Sequence, residues 1–291
     1  MQTSYSLNPD VAKAGMIADS RILKHIRSRI CEGTVIAGYG VFRAPTTGDS
    51  FSNYGGDPGS VYQNPSPAAA ASVNAILATG GVSTAGTQAI SGTSLNGAVG
   101  SAKMYPPRLF TVTFNSHADW DATNLVVTGE LDGVTVTDTL AIPNNGNATV
   151  TGVQYFDKIT SWTIPAQSGT NGTYTAGVAI LDASVTLADF SGFAVFDPAL
   201  VPNTIPSQDQ TAEYHDKDIA SIMFKGAIWC VCENAFTQGG DVYVRVGSGS
   251  GGSTFGQVRA TDTDSSTAIA ITGARFGNTG SAGGLAKIEL Y

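Results

Sequence analysis

The stretch Ile219-Ala-Ser-Ile-Met-Phe-Lys-Gly-Ala-Ile-Trp-Cys-Val-Cys232, continued by Glu233–Gln238 and Gly239-Gly240-Asp241-Val-Tyr-Val-Arg-Val246, holds three short apolar runs. Each run is rich in β-branched and aromatic residues, and Lys225-Gly226 and Gly239-Gly240 punctuate them. That pattern predicts consecutive antiparallel strands joined by tight connections, a meander at the centre of a β-domain. In the last run Val242, Val244 and Val246 alternate with Tyr243 and Arg245, which places the valines on a buried face and the other two on a wet one.

The surrounding composition agrees with an all-β chain. Of 291 residues, 42% are hydrophobic and 13% charged, enough apolar side chain for real cores and enough length for two domains. Glycine, at 35 residues, supplies turn positions, whereas Lys and Glu are scarce. A net charge of -8 excludes a broad phosphate-tracking surface, so no nucleic-acid partner is expected. Three unevenly placed cysteines, Cys31, Cys230 and Cys232, do not make a disulfide framework, and a reducing compartment is the simpler expectation. Residues 1–10 lack a basic region followed by an apolar one, and Ala68–Ala78 is shorter than the ~20 residues that span a bilayer. A soluble, unsecreted protein with no membrane partner is expected.

Residues 1–19 read as an extended arm containing Pro9, with at most one helical turn around Val11–Ala14. Arg21-Ile-Leu-Lys24-His25-Ile-Arg27-Ser-Arg29 then packs four of the 15 basic residues into nine positions. It is either a solvated segment with Ile22, Leu23 and Ile26 tucked inward, or a positive strip aimed at an acidic protein partner. Val35–Ala37 and Tyr39–Phe42 suggest a strand pair. Residues 43–67, rich in proline and glycine, form a long connection and a candidate domain boundary. Pro67 followed by Ala68–Ala71 and closed by Gly80-Gly81 predicts one short helix. Residues 82–103 read as loop, with one short strand pair near Leu95-Asn96-Gly97 turning at Asn96-Gly97.

Residues 105–180 give the clearest strand series: Leu109–Phe114, Asn124–Thr128, Val134–Ile142, Thr149–Phe156, Ile159–Ile164 and Thr173–Ile180. Turn signals separate them at the spacing of a β-sandwich, without a Cys…Trp…Cys pattern. Phe190–Phe196, Thr267–Phe276 and Leu285–Tyr291 are further strands, the last with Ala286, Ile288 and Leu290 on one face.

No catalytic, cofactor or metal site is expected. Gly247, Gly249 and Gly252 have the spacing of a dinucleotide-binding turn but open no helix behind them. Cys230 and Cys232 share one strand face, lack further zinc ligands at a suitable spacing, and read as core thiols. Asp262–Ser266 lacks the glycine and glutamate of a calcium loop. His25, His117 and His215 have no nucleophile pattern beside them. The acids Asp209, Glu213, Asp216 and Asp218 read as a solvated turn. Trp162 reads as core, and Asp119-Trp120-Asp121 as an aromatic between carboxylates in a loop.

Tyr5-Ser-Leu-Asn-Pro9, Ala14-Gly15-Met-Ile-Ala18-Asp19, Ile26-Arg-Ser28 and Ile36-Ala-Gly38-Tyr-Gly40-Val41 resemble the start of tailed-phage capsid cement (decoration) proteins. Ile219–Phe224, Gly226–Val231, Gly239–Tyr243, Gly273–Phe276 and Leu285–Leu290 resemble their second half. The part between, carried by Ser94–Gly97, Pro107-Arg108, Val127–Gly129, Val136–Thr139, Asn144–Gly146 and Phe156–Ile164, is similar to a module of other phage structural proteins. The resemblance implies an all-β fold: a discontinuous β-barrel or jelly-roll-like cement domain (1–53 and 191–291) with an inserted immunoglobulin-like β-sandwich (104–190) and the helix-bearing arm (54–103) before it. It implies a non-enzymatic virion protein, made in the host cytoplasm, that binds the outer capsid surface and stabilises it. Its partners would be the major capsid protein and further copies of itself, a dimer or trimer at a symmetry axis, with no cofactor. Pro9, Arg21, Lys24, Arg27 and Arg29 are the candidate capsid contacts. The alternative is a glycan-binding or host-adhesion module displayed on the virion, which Asp119-Trp120-Asp121 would serve; an enzyme with a dispersed site is a third.

Overall fold

The computed structural model describes residues 12–19, 24–44, 60–63, 72–115, 117–144, 147–179, 189–197, 212–247, 255–261 and 268–291. The fold is all-β, and the chain divides into two compact units, Met1–Arg43 with Gly59–Gln63 and Thr186–Tyr291, and Ala44–Pro58 with Asn64–Val185. Among the described residues no helix is long and apolar enough to cross a membrane.

The first unit contains β1 (His25–Cys31), β2 (Val35–Ile36), β3 (Gly40–Arg43) and β4 (Ser60–Tyr62). The second supplies β5 (Ser72–Gly81), β6 (Gln88–Ser91), β7 (Arg108–Phe114), β8 (Asn124–Leu131), β9 (Val134–Ala141), β10 (Ala148–Phe156), β11 (Lys158–Ile164) and β12 (Thr173–Val178). The chain then returns to the first unit with β13 (Phe190–Ala194), β14 (Glu213–Tyr214), β15 (Ile219–Val231), β16 (Asp241–Arg245), β17 (Val258–Arg259), β18 (Ala268–Phe276) and β19 (Leu285–Leu290).

In the first unit the order is β1-β4-β3-β13-β15-β19-β18-β16-β17, and β1 also pairs with β15. That extra pairing closes β1, β4, β3, β13 and β15 into a five-stranded barrel. Cys31, Val35, Val41, Val61, Ala194, Tyr214, Ala220 and Ile222 fill part of its interior. β15 is a single 13-residue strand rather than the two expected from Lys225-Gly226. Gly226, with φ 129, bends it without reversing it. The partner changes there: His25 of β1 faces Lys225, and Leu290 of β19 faces Gly226. β15 is therefore the spine of two sheets, and β16 lies three strands away from it rather than beside it. Ala286, Ile288 and Leu290 are buried on β19, as the alternation predicts. β2 pairs with β14 rather than with β3.

The second unit is built of two four-stranded sheets, β10-β7-β12-β5 and β6-β11-β8-β9. Phe110, Val112, Phe114, Trp120, Val127, Trp162, Ile164 and Tyr174 belong to one core cluster drawn from both. The expected strands of residues 105–180 are all present, but residues 72–81 form β5 where a helix is predicted. Local alanine propensity yields to pairing with β12, in which Tyr174 opposes Gly80 and Ala176 opposes Leu77. Gly80 lies under the Tyr174 ring, where an added Cβ would stand 2.5 Å from Cζ, so the strand fits only as glycine there. Gly97 donates to the Ile76 carbonyl along the outer edge of β5 instead of turning a hairpin.

β10 breaks register with β7 between Thr151 and Tyr155. There Asp138 of β9, 8% exposed, accepts from the Val153 N–H at 2.7 Å and the Gln154 N–H at 3.0 Å. The carboxylate thus ties β9 to the bulge of a strand in the other sheet. Asp138→Ala should destabilise this unit by about 1–3 kcal/mol, the cost of leaving inward amides without an acceptor. An unchanged melting transition would show that water serves those amides equally well.

Candidate interaction surface

Lys24 and β1 occupy the flank of the barrel. From His25 to Ile30 one edge of β1 is paired with β15, while the other meets β4 only at Ile30 and Cys31. Alternation sends Arg27, Arg29 and Cys31 to one side and Ile26, Ser28 and Ile30 to the other. Cys31 enters the barrel core, so Arg27 and Arg29 lie on the continuation of the inward face, beyond the packed interior. Arg27 is exposed and its guanidinium lies 4.5 Å from the Phe224 ring centroid, a cation–π contact that holds its plane. The His25 ring meets the same Phe224 edge-on at 5.5 Å. Arg29 Nη1 donates to the Ser28 carbonyl at 3.0 Å. Arg27 and Arg29 therefore share one side of β1, whereas Lys24 falls by the same alternation on the side of Ile26, and Lys225 stands across the pair from His25. No sequence signal near Arg21–Arg29 points to Lys225, because only the fold brings it there. Pro9 and Arg21, with Ile22 and Leu23, lie outside the described residues.

The opposite side of the same ribbon is apolar. Ile30 opposes Ile219, Ser28 opposes Ser221, and Ile26 opposes Met223. Ile26, Ile30 and Ile219 are 38%, 42% and 69% exposed, so Ile26 is not tucked inward. The period-two pattern Ile26-x-Ser28-x-Ile30 was the available signal for that face.

The other candidate sites resolve as structure. Trp120 is fully buried, donates to Asn115 Oδ1 at 2.7 Å and packs edge-on to Phe114 at 4.8 Å, so it offers no face to a sugar. Asp119 is instead a loop fastener: it accepts from the Asn171 backbone N–H at 2.8 Å, which with His117 lowers its pKa. Trp162 is core, as expected. Burial pushes the thiol of Cys31 up to about 12 and that of Cys232 up to about 11, and raises that of Cys230 further from reactivity. Asp216 and Asp218 cap a turn, accepting from the Gly33 N–H at 3.0 Å and the His215 N–H at 2.7 Å. Asp209, Gly249, Gly252 and Asp262–Ser266 lie outside the described residues. Among the described residues no three His, Cys, Asp or Glu side chains gather as a metal site. A polar cleft lined by Ser101, Lys103, Glu130, Gly133, Asp157 and Lys158 has its charges matched internally, Lys158 to Glu130 at 3.4 Å and Lys103 to Asp157 at 3.8 Å.

One buried charge group escaped the sequence reading. Glu233, just past β15, accepts from Arg245 Nε at 2.6 Å through Oε1 and from Nη2 at 2.7 Å through Oε2, and Arg259 Nε lies 3.2 Å from the same Oε2. All three side chains are at most 9% exposed. The arrangement ties the end of β15 to β16 and β17. It is a structural clamp, since the carboxylate is bound on both sides by guanidiniums shielded from water.

No curated protein matches the chain. Residues 141–291, just over half of it, match the family model described as structural cement protein (E217 gp24/Pam3 gp6). The match takes in β10 to β12 of the second unit and β13 to β19 of the first, and leaves out β1, β3 and β4 of the barrel. The chain belongs to the phage structural cement protein family, and is thereby a structural protein of the virion capsid.

Proposed function

We propose that the chain binds the outer surface of an assembled phage capsid and stabilises it without catalysis, acting as a homo-oligomer at a symmetry axis of the major capsid protein lattice. The membership of the cement family carries this reading. The discontinuous unit is the capsid-binding domain, and the second unit is an immunoglobulin-like module in this reading. Cementing needs only buried area placed across joints between shell subunits, because a ligand that binds the assembled state stabilises it by mass action. The flank of Lys24, Arg27 and Arg29 meets an acidic patch of the shell, with Pro9 and Arg21 extending the contact.

The test is co-sedimentation with capsids stripped of this protein, at low and high salt, followed by heating. Saturation at a fixed ratio to shell subunits with delayed rupture is the expected result, and absence of binding defeats the proposal. Arg27→Glu with Arg29→Glu should weaken binding about tenfold at low salt, two exposed charge contacts turned repulsive. It should also flatten the salt dependence. Unaltered binding by that variant would remove the arginines from the contact while leaving the cement role intact.

A further inference from the structure

The geometry points to a second copy of this chain as the occupant of the isoleucine face of the β1–β15 ribbon. The arginine face is turned to the other side of β1, so Arg27 and Arg29 take no part in this contact, and of the residues proposed to meet the shell only Lys24 is shared. Three large apolar residues, Ile26, Ile30 and Ile219, stand exposed there around a small, uncharged centre, Ser28 opposite Ser221. Such a face discards its exposed apolar area only by covering it with another.

The charges at its two ends choose the partner. Lys24 and Lys225 stand at one end, beside His25. At the other, past Ile219 and Ile30, the turn carries Asp216 and Asp218, while Lys217 is held by Glu32 at 2.9 Å. The ribbon is thus cationic at one end, anionic at the other and apolar between. A two-fold axis lying in the contact plane and crossing the strands at Ser28 places the cationic end of each copy on the anionic end of the other. The same operation lays Ile30 of each copy on Ile26 of its neighbour, the self-complementarity that an isologous contact demands. An axis running along the strands would instead put lysine on lysine. Two chains of net charge -8 repel elsewhere, so their approach is steered to the end where the basic residues gather.

This contact concerns the oligomer in the function proposed above and rests on that reading for its setting, but its test needs no capsid. Ser28→Cys puts a thiol on the axis, facing its own counterpart, in a chain whose three native thiols are buried. Treatment of the full chain at tens of micromolar with a short bis-maleimide should give a covalent dimer on a denaturing gel. Val153→Cys, at a position 86% exposed in the second unit, should give several-fold less. Adding Ile30→Glu to Ser28→Cys should drop its crosslinking to the Val153→Cys level, with the circular dichroism spectrum unchanged. Equal crosslinking of the two cysteine variants, no dimer from Ser28→Cys, or insensitivity to Ile30→Glu in a folded protein would each overturn the assignment. Capsid binding that persists in a variant failing this test would leave the cement role standing and remove only this face.

Discussion

Glu233→Ala should cost about 3–5 kcal/mol, the range expected when one partner of a buried ion pair is deleted and its counter-charge is left inside. The carboxylate sits between two guanidiniums, Arg245 in a bidentate bond and Arg259 at 3.2 Å, all almost wholly shielded from water. Without it two like charges face one another where solvent screens them little. The loss also removes the side-chain tie from the end of β15 to β16 and β17, leaving backbone bonds such as Glu233 N–H to the Val258 carbonyl at 2.9 Å to hold them. For a domain of this size the unfolding transition should fall by roughly 10 °C. Differential scanning calorimetry measures it, and Glu233→Gln, which keeps shape and loses charge, should lie between. Replacing all three charges by apolar residues of similar volume should recover most of the loss. A Glu233→Ala transition within a degree or two of the parent would mean that water reaches the guanidiniums.

Trp162→Ala should be as damaging, at about 3–5 kcal/mol for truncation of a buried aromatic. The indole is 1% exposed, with Phe110 at 5.4 Å between ring centroids and Tyr174 at 6.5 Å. Its N–H donates to the Tyr174 hydroxyl at 3.1 Å, and burial has pushed that hydroxyl's pKa up to about 12. The substitution opens a cavity between the two sheets and strips the hydroxyl of its donor. Trp162→Phe, which keeps a ring and loses the N–H, should cost about 1–2 kcal/mol. Because Trp162 and Glu233 belong to different compact units, their effects should add in the double variant and act on different parts of the calorimetric trace. A single transition lowered equally by both would show the units to unfold as one.

The legible parts of the fold were those in which side-chain periodicity and turn chemistry agree. Asn124–Leu131 and Val134–Ala141 pair across Asp132-Gly133, and alternation on β19 separates buried Ile288 from half-exposed Lys287 and Glu289. What failed depended on partners remote in sequence. Lys225-Gly226 looks like a reversal until β19 is known to take over from β1 as the neighbour of β15. Arg245 belongs by alternation on the wet face and is buried because Glu233 awaits it. Ala68–Ala71, on which the helix reading rests, lie outside the described residues, but the continuation over residues 72–81 is strand because Tyr174 and Ala176 supply pairing that local preference does not outweigh. The candidate surface was legible as a charge concentration alone. Its division into an arginine side and an isoleucine side needed the strand, and Lys225 needed the tertiary pairing.

The place where the second unit enters and leaves sets a simple rule for grafting. Phe42 on β3 has Tyr62 of β4 on one side and Phe190 of β13 on the other, so the chain departs and returns two strand spacings apart, about 10 Å. A bridge of about three or four extended residues covers that gap. The short strand β4 must stay behind, since it closes the barrel between β1 and β3. Residues 64–185 are then the exchangeable part: a foreign module whose own termini come within that span should leave the barrel closed.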